Sequence, residues 1–135
     1  MRRVTITQRP NLKQSALAHG YPYDAAGGVP YWDETAYYSF TLRQIEDHLE
    51  GPAEEIERLC FEVLSRAVTD ETVFQRLRIP GTYWNYIAES WRKLEKDLLG
   101  RFDFSYDGSG PPKLLEYNAD TPTTLYEAAV FQWEW

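Results

Sequence analysis

The stretch that decides the fold is RFDFSYDGSGPPKLLEYN, residues 101–118. Polar and apolar residues alternate along 101–106, and an alternation with period two is typical of a half-buried β-strand. The six residues that follow, 107–112, are rich in glycine and proline, which favour turns. Residues 113–118 then supply a second short strand. The pattern therefore predicts an antiparallel β-hairpin.

The six-residue loop fixes which residues of this hairpin lie opposite one another. One face then carries apolar pairs, with Phe102 opposite Tyr117 and Phe104 opposite Leu115. Slipping the register by one residue would place the phenylalanines against polar side chains. Burial of this face therefore disfavours a slip of one residue, whereas a slip of two keeps the faces and makes Asp103 and Glu116 diagonal neighbours.

The other face of the hairpin carries four polar residues. Asp103 lies opposite Glu116, and Arg101 lies opposite Asn118. Two carboxylates opposite each other on paired strands repel, and a divalent cation or a proton removes that repulsion. Two carboxylates and an amide are oxygen ligands that suit Mg²⁺, which also shares its coordination shell with phosphates. We therefore expect a magnesium site formed by Asp103, Glu116 and Asn118.

Two further features beside this face favour an anion. The guanidinium of Arg101 can hold a phosphate or a carboxylate through two hydrogen bonds. Thr121 and Pro122 are expected to begin a final helix that runs to the last residue, and the free N–H groups of a helix N-terminus favour negative charge. A metal, an arginine and a helix N-terminus together predict phosphoryl or acyl-phosphate chemistry.

The same residues allow two other interpretations. Arg101 could form an ordinary ion pair with Asp103 or Glu116 at a solvated sheet edge, with Asn118 simply ending the strand, because surface ion pairs are common. Asp103 and Glu116 could also be a glycosidase pair. Carboxylates that face each other in one hairpin lie too close for that role, because flanking a sugar bond requires roughly 5 to 9.5 Å.

The rest of the chain has mainly helical patterns. Residues 1–33 are rich in Gly, Pro and Tyr, which predicts an irregular lead segment. Apolar spacing predicts four helices, from about Glu34 to Leu49, from Pro52 to about Val68, from the N-cap Asp70 to about Leu77, and over residues 83–99 before a stop at Gly100. The predicted fold class is α+β, mostly helical with one β-hairpin.

Composition narrows the classes of protein to which the chain can belong. Its 135 residues and 43% hydrophobic content fit one packed domain. The net charge of −7 argues against nucleic acid as a partner, because binding to phosphates requires a basic face. The sequence has one cysteine, no secretory signal and no apolar run of about 18 residues. We therefore expect a cytoplasmic protein without membrane contact.

Several segments of the chain resemble one known family closely. They are Gly27-Gly28-Val-Pro-Tyr-Trp-Asp-Glu34, Gly100-Arg-Phe-Asp-Phe104, Leu114-Leu-Glu-Tyr-Asn-Ala-Asp-Thr-Pro-Thr123 and Tyr126-Glu-Ala-Ala129. In this order, over most of the chain, they resemble motifs of the glutathionylspermidine synthase family. The resemblance implies an ATP-grasp ligase that joins a carboxylate to an amine through an acyl phosphate, with ATP and Mg²⁺. In the namesake reaction, the glycine carboxylate of glutathione is joined to spermidine.

The resemblance also implies roles for individual residues. Asp103, Glu116 and Asn118 match the magnesium ligands of the family. Arg101 matches the catalytic arginine that steadies the transferring phosphate. Thr121 and Thr123 occupy positions where family members use small hydroxyl residues near the thiol-peptide substrate. The implied partners are a small-molecule carboxylate, such as a glutathione-like peptide or an amino acid, and a polyamine-like amine.

Members of this family run beyond twice the length of this chain, and their ATP-grasp domain supplies the nucleotide-binding lysines. We therefore expect residues 1–135 to be a truncated, pre-ATP-grasp-like N-terminal portion that is inactive alone, with most of the ATP site elsewhere. The alternative is a non-catalytic binding or interaction module left from such an enzyme. The final helix is expected to expose apolar residues and to promote self-association, namely through Leu125, Ala128, Ala129 and Phe131.

Other residues favour structural roles. Cys60 lies on the apolar stripe of its helix and is expected to be buried and inert. His19 and His48, the two histidines, lie far apart in the sequence and do not predict a zinc site. Trp32 is expected to anchor the lead segment and Asp33 to cap the next helix. A substrate-facing lip is the alternative for residues 31–34.

Overall fold

The computed structural model describes residues 1–22, 25–120 and 122–135. Within them, short antiparallel strand pairs accompany a larger helical part, which is the α+β architecture that the sequence predicts. The strands are β1 (Arg2–Thr5), β2 (Ala25–Ala26), β3 (Val29–Pro30), β4 (Ala36–Ser39), β5 (Arg101–Ser105) and β6 (Lys113–Asn118). The α-helices are α1 (Leu12–Ala18), α2 (Leu42–Ile45), α3 (Gly51–Ala67), α4 (Glu71–Arg76), α5 (Trp84–Lys93) and α6 (Gln132–Glu134). Two π-helical turns cover Glu46–Glu50 and Glu127–Phe131, and a 3₁₀ turn covers Gly81–Tyr83.

The N-terminal part of the chain is more regular than predicted. β1 pairs with β4, and β2 and β3 form a tight hairpin around Gly27 and Gly28, whose φ angles of 60° and 83° suit glycine. The prediction of an irregular lead segment is therefore wrong for the strands and for α1. The predicted helix from Glu34 is also wrong as far as Ser39. Tyrosines are frequent in strands, and β1 supplies the partner strand that periodicity alone does not reveal.

The helical run over residues 42–67 is continuous, whereas the sequence predicts a break at Gly51 and Pro52. Thr41 caps its start, because the Thr41 hydroxyl accepts the Gln44 N–H and the Gln44 side chain accepts the Thr41 N–H. The first π turn lies immediately before Gly51. Pro52 therefore lies in the first turn of α3, as predicted, but no loop precedes it. A proline ring and its missing N–H do not fit the interior of a regular α-helix, which accounts for the altered turn.

The next two helices differ in how well the sequence predicts their ends. Asp70 caps α4 as predicted, since its Oδ1 accepts the Thr72 N–H at 3.0 Å. The prediction that α5 reaches residue 99 is wrong, because α5 ends where Leu94 adopts a left-handed φ of 51°. The Glu95 N–H then donates to the Ser90 carbonyl at 3.2 Å, which closes the helix end.

The last helical segment begins later than predicted. Helical turns start at Leu125, and Thr124, with a φ of 73°, lies just before them. Pro122 and Thr123 are not helical, and Thr121 lies outside the described residues. The predicted anion-binding helix N-terminus at Thr121 and Pro122 is therefore wrong where the backbone is described.

Phe131 anchors the end of the chain in the core. It is 2% exposed. Among the described residues, its ring lies against those of His19, Tyr21, Trp32 and Tyr126. The prediction that Phe131 is exposed is wrong, because the lead segment folds over this side of the final helix. Leu125, Ala128 and Ala129 do remain exposed, and self-association through them stays a prediction.

The contacts of Trp32 and its neighbours fix the lead segment. Trp32 packs against Phe131 with ring centroids 5.8 Å apart, as expected of an anchor. Asp33 caps no helix, contrary to the prediction, because the chain continues into a strand. Its Oδ1 accepts the Thr35 N–H at 2.8 Å instead. The next residue, Glu34, is 4% exposed and forms an ion pair with Arg9.

The surface of α3 is less buried than its pattern predicts. Cys60 is partly exposed and lies in an apolar groove of about 580 Å³ that α5 and β6 also line. The prediction of a buried thiol is therefore wrong, because the groove leaves Cys60 partly exposed. Within the described part of the chain, no helix has the length and apolar character needed to cross a membrane.

Candidate functional site

The hairpin formed by β5 and β6 adopts the predicted register at its open end. Three residue pairs match the prediction, namely Arg101 with Asn118, Phe102 with Tyr117 and Asp103 with Glu116. A β-bulge then shifts the pairing, so that Phe104 lies opposite Leu114 and the predicted pairing of Phe104 with Leu115 is wrong. The four polar residues nevertheless share one face of the hairpin.

The helices hold this hairpin in place through polar contacts. The Gln44 side chain donates to the Gly108 carbonyl at 2.7 Å, and His48 Nδ1 is hydrogen-bonded to the Tyr106 hydroxyl at 2.8 Å. At the start of β5, a Cβ at Gly100 would lie 2.5 Å from the Tyr117 ring. Gly100 is therefore needed for this close approach rather than for the helix end that the sequence predicts.

Arg101 and Asp103 form a forked ion pair within β5. Arg101 Nε donates to Asp103 Oδ1 at 2.6 Å, and Nη2 donates to Oδ2 at 3.0 Å. This pairing lowers the pKa of Asp103 and raises that of Arg101. The ordinary ion pair considered from the sequence is thus present. Its geometry is also the two-bond geometry in which a guanidinium holds a phosphate or a substrate carboxylate.

Glu116 and Asn118 complete the polar face. The Asn118 side-chain amide donates to Glu116 Oε1 at 2.9 Å and lies 3.5 Å from Asp103 Oδ2. Among the described residues Glu116 has no ion pair. Rotating the amide by 180° would bring its oxygen to the place now taken by its nitrogen. Two carboxylates and an amide therefore border one small space.

Thr123 joins this cluster from the segment that follows β6. Arg101 Nη1 donates to both the carbonyl oxygen and the hydroxyl of Thr123, each at 2.9 Å. The structure thus brings together five of the six site residues that the sequence and the resemblance indicate. The sixth, Thr121, lies outside the described residues.

Comparison with known proteins identifies the family. Residues 3–135 match the family described as glutathionylspermidine synthase, pre-ATP-grasp. The chain belongs to the glutathionylspermidine synthase family.

Three curated relatives illustrate the breadth of the glutathionylspermidine synthase family. A Haemophilus influenzae protein provisionally named acid–amine ligase is 38% identical over 148 aligned positions, which cover 100% of this chain and 35% of that protein. Trypanothione synthetase of Crithidia fasciculata is 32% identical over 75 residues, 55% of this chain and 12% of the relative. The bifunctional glutathionylspermidine synthetase/amidase of Escherichia coli is 28% identical over 112 residues, 82% of this chain and 18% of the relative. The chain thus spans about a third of the first relative's length and less of the others, and it is related to ligases.

The donor set of the hairpin can be tested against the magnesium ion that a ligase of this family implies. Mg²⁺ prefers oxygen ligands, keeps several waters and is commonly held by one or two carboxylates together with substrate phosphates. Asp103, Glu116 and the amide oxygen of Asn118 are such ligands, so the chemistry of the residues fits. Within the described chain, no group of three or more His, Cys, Asp or Glu side chains is placed to hold a metal. A set of two carboxylates and one amide is therefore the relevant candidate.

Sequence reasoning missed one polar residue close to this site. Glu127 Oε1 accepts hydrogen bonds from the Tyr21 hydroxyl at 3.1 Å and from the Tyr31 hydroxyl at 2.8 Å. Glu127 belongs to the family-like motif at residues 126–129, but no local spacing signals contacts with residues about 100 positions earlier in the chain. Glu127 lies four positions after Thr123, which accepts hydrogen bonds from Arg101.

Proposed function

We propose that this chain is the pre-ATP-grasp domain of an ATP-dependent ligase that joins a carboxylate to an amine through an acyl phosphate. The observation that carries the proposal is the meeting of Arg101, Asp103, Glu116 and Asn118 on one face of a hairpin. Family membership supports the reaction class, and the names of the relatives favour a glutathione-like acid and a polyamine-like amine. ATP would be held mainly by an ATP-grasp segment.

In this proposal Asp103, Glu116 and Asn118 hold Mg²⁺, which when bound would neutralise the phosphate oxygens during phosphoryl transfer. Arg101 supplies the fixed cation on the other side of the phosphate. Its guanidinium now binds Asp103 in the geometry that a phosphate or carboxylate requires. Binding of an anionic substrate would therefore compete with Asp103 for Arg101 and leave the Asp103 carboxylate free for a cation.

The two threonines are proposed to contact the acid substrate. Thr123 is held beside the guanidinium by two hydrogen bonds from Arg101 Nη1. Its hydroxyl can therefore donate its own proton to a substrate oxygen while it accepts from Arg101. The role of Thr121 rests on the family resemblance alone.

The metal site can be tested on this chain with Mn²⁺, a paramagnetic substitute for Mg²⁺. We expect Mn²⁺ to broaden the amide signals of β5 and β6 first in an NMR titration, and Asp103→Asn or Glu116→Gln to abolish this selectivity. Asp97→Asn, which removes the same charge from the exposed segment before the hairpin, is the matched control. The metal assignment would be contradicted if Mn²⁺ did not broaden the signals of β5 and β6 first. It would also be contradicted if this selective broadening persisted in both site variants.

The reaction can be tested in a chimera that joins residues 1–135 to the part of the Haemophilus influenzae relative that this chain does not cover. We expect ADP release that depends on Mg²⁺, glutathione and spermidine. Asp103→Asn and Glu116→Gln should each lower turnover about 100-fold or more, the usual scale for lost electrostatic stabilisation of a transition state. Asp97→Asn should leave the rate unchanged. A chimera that turns over normally with Asp103→Asn would refute the site assignment.

A further inference from the structure

Glu127 has surroundings that set it apart from the other carboxylates. Among the described residues, three carboxylate side chains are buried or partly buried, namely those of Glu34, Asp103 and Glu127. Glu34 is paired with Arg9, and Asp103 is paired with Arg101. Glu127 forms no ion pair with any described residue. A charge taken out of water normally has an opposite charge beside it, and Glu127 has none among the described residues.

The hydrogen bonds of Glu127 orient one of its carboxylate oxygens. Both tyrosine donors, Tyr21 and Tyr31, bond to the same oxygen, Oε1. Neither tyrosine donates to Oε2. Burial raises the pKa of Glu127, but a backbone N–H and the two hydroxyls outweigh it and hold the pKa below its usual value. The group is therefore a carboxylate at neutral pH, and two tyrosine hydroxyls orient one of its oxygens.

Glu127 lines a surface cavity of about 400 Å³. The other lining residues are Tyr31, Trp32, Thr124, Ala128 and Gln132. The two aromatic rings come from consecutive residues, and Tyr31 is 46% exposed. A carboxylate beside aromatic rings is a site for an organic cation, because the rings attract positive charge electrostatically while the carboxylate pairs with it. A hard metal ion requires more oxygen ligands than this cavity offers.

We propose that this cavity binds an alkylammonium group through Glu127, Tyr31 and Trp32. The ammonium site itself is inferred from the surroundings of Glu127. Its assignment to a substrate of the ligase rests on the proposed function. The cavity adjoins the hairpin cluster, since Thr124 follows the Thr123 that bonds to Arg101. Two substrates carry such a group. One is the amine itself, and the other is an acid substrate with an α-ammonium group.

Titrations of the chain without ATP or Mg²⁺ test the ammonium site separately from ligation. The probes are spermidine for the amine and glutathione for the α-ammonium group, and uncharged 1,4-butanediol is the negative control. Calorimetry measures the affinity of each probe. We expect Glu127→Gln to weaken binding of at least one ammonium probe about tenfold or more. The substitution keeps the size of the side chain and an oxygen that accepts from the tyrosines. Loss for spermidine alone assigns the amine, and loss for glutathione alone assigns the acid substrate.

Glu134→Gln is the matched control for charge. Glu134 lies on the same final segment, but it contacts Ser15 and His19 and does not line the cavity. Its substitution should change the affinity for the probes by less than about twofold, because the removed charge is not at the site. An equal loss in both variants would indicate a general effect of net charge and overturn the proposal.

Ala128→Leu provides a second test that leaves Glu127 and the tyrosines intact. The larger side chain should occupy the cavity and weaken binding of the ammonium probe even if Glu127→Gln proves unstable. Absence of binding by both ammonium probes to the wild-type chain would overturn the proposal. So would unchanged binding in a folded Glu127→Gln or Ala128→Leu variant. Neither result would bear on the Mn²⁺ titration, so failure here is distinguishable from failure of the ligase assignment.

Discussion

Replacing Arg9 with methionine tests how the N-terminal part of the chain is held together. Arg9 Nε donates to Glu34 Oε2 at 2.9 Å, and Nη2 donates to Oε1 at 2.5 Å. Trp32 Nε1 donates to the same Oε1 at 3.1 Å. Methionine retains an apolar stem of similar reach but removes every donor of Arg9. The variant therefore leaves the Glu34 carboxylate, 4% exposed, with Trp32 as its remaining side-chain donor among the described residues.

The expected loss of unfolding free energy depends on how far water reaches each partner of the ion pair. Removing one partner of a fully buried pair costs about 3–5 kcal/mol. The Arg9 side chain is 24% exposed, so water reaches the vacated space and lowers the expected cost to about 2–3 kcal/mol. Glu34→Gln is the matched variant. It leaves the guanidinium near water and keeps an acceptor oxygen, so it should cost only about 1–2 kcal/mol.

Urea unfolding followed by tryptophan fluorescence measures the free energy of unfolding of both variants at pH 7.

A pH series provides a second check on the role of the Glu34 carboxylate. Burial raises the pKa of Glu34, but the hydrogen bonds from Arg9 and Trp32 and the charge of Arg9 lower it below 4.5 in the folded chain. The stabilisation from this carboxylate is therefore complete above pH about 4.5 and declines as the pH falls through the folded pKa. The difference in unfolding free energy between wild type and Glu34→Gln should shrink below that pH.

Two results would refute this reasoning. One is a cost for Arg9→Met that does not exceed the cost for Glu34→Gln, because a buried carboxylate without its arginine must be the less favourable species. The other is a difference between wild type and Glu34→Gln that stays constant through acid pH.

Four further substitutions test side-chain packing and backbone conformation. Phe131→Ala should lower the free energy of unfolding by about 3–5 kcal/mol, because the ring is buried. Trp133 is 87% exposed, so Trp133→Ala should lower it by less than about 0.5 kcal/mol. Equal urea midpoints for the two variants would contradict the assigned core. Gly100→Ala should displace the Tyr117 ring, because the added Cβ would overlap it. NMR should then show a loss of the ring-current shifts that Tyr117 causes at Phe102. Unchanged shifts would contradict the close approach of Gly100 and Tyr117. Leu94→Gly should stabilise the chain by about 0.5–1 kcal/mol, because it relieves a left-handed conformation at a residue that is 81% exposed, and a lower melting temperature would contradict this.

The sequence by itself determined the hairpin and its polar face. Alternation between the two faces and the turn composition of 107–112 are local signals, and the apolar pairing of Phe102 with Tyr117 decides which residues share a face. Asp103 and Glu116 were therefore expected on one face, either directly opposite or as diagonal neighbours. The cap at Asp70 was equally predictable, because it depends on an N–H only two residues away.

Tertiary contacts decided what local patterns could not. Residues 36–39 form a strand because β1, more than 30 positions earlier, supplies hydrogen-bonding partners. Phe131 is buried because the lead segment folds over it. The end of α5 at Leu94 reflects a backbone reversal that apolar periodicity does not encode.

The same distinction applies to the candidate site. The hairpin residues share one face through local pairing, so the sequence brings Arg101 and Asp103 together with Glu116 and Asn118. The surroundings of Glu127 arise only when residues 21 and 31 meet the final helix. Local periodicity carries no information about such long-range contacts, because they form only when separate elements pack together.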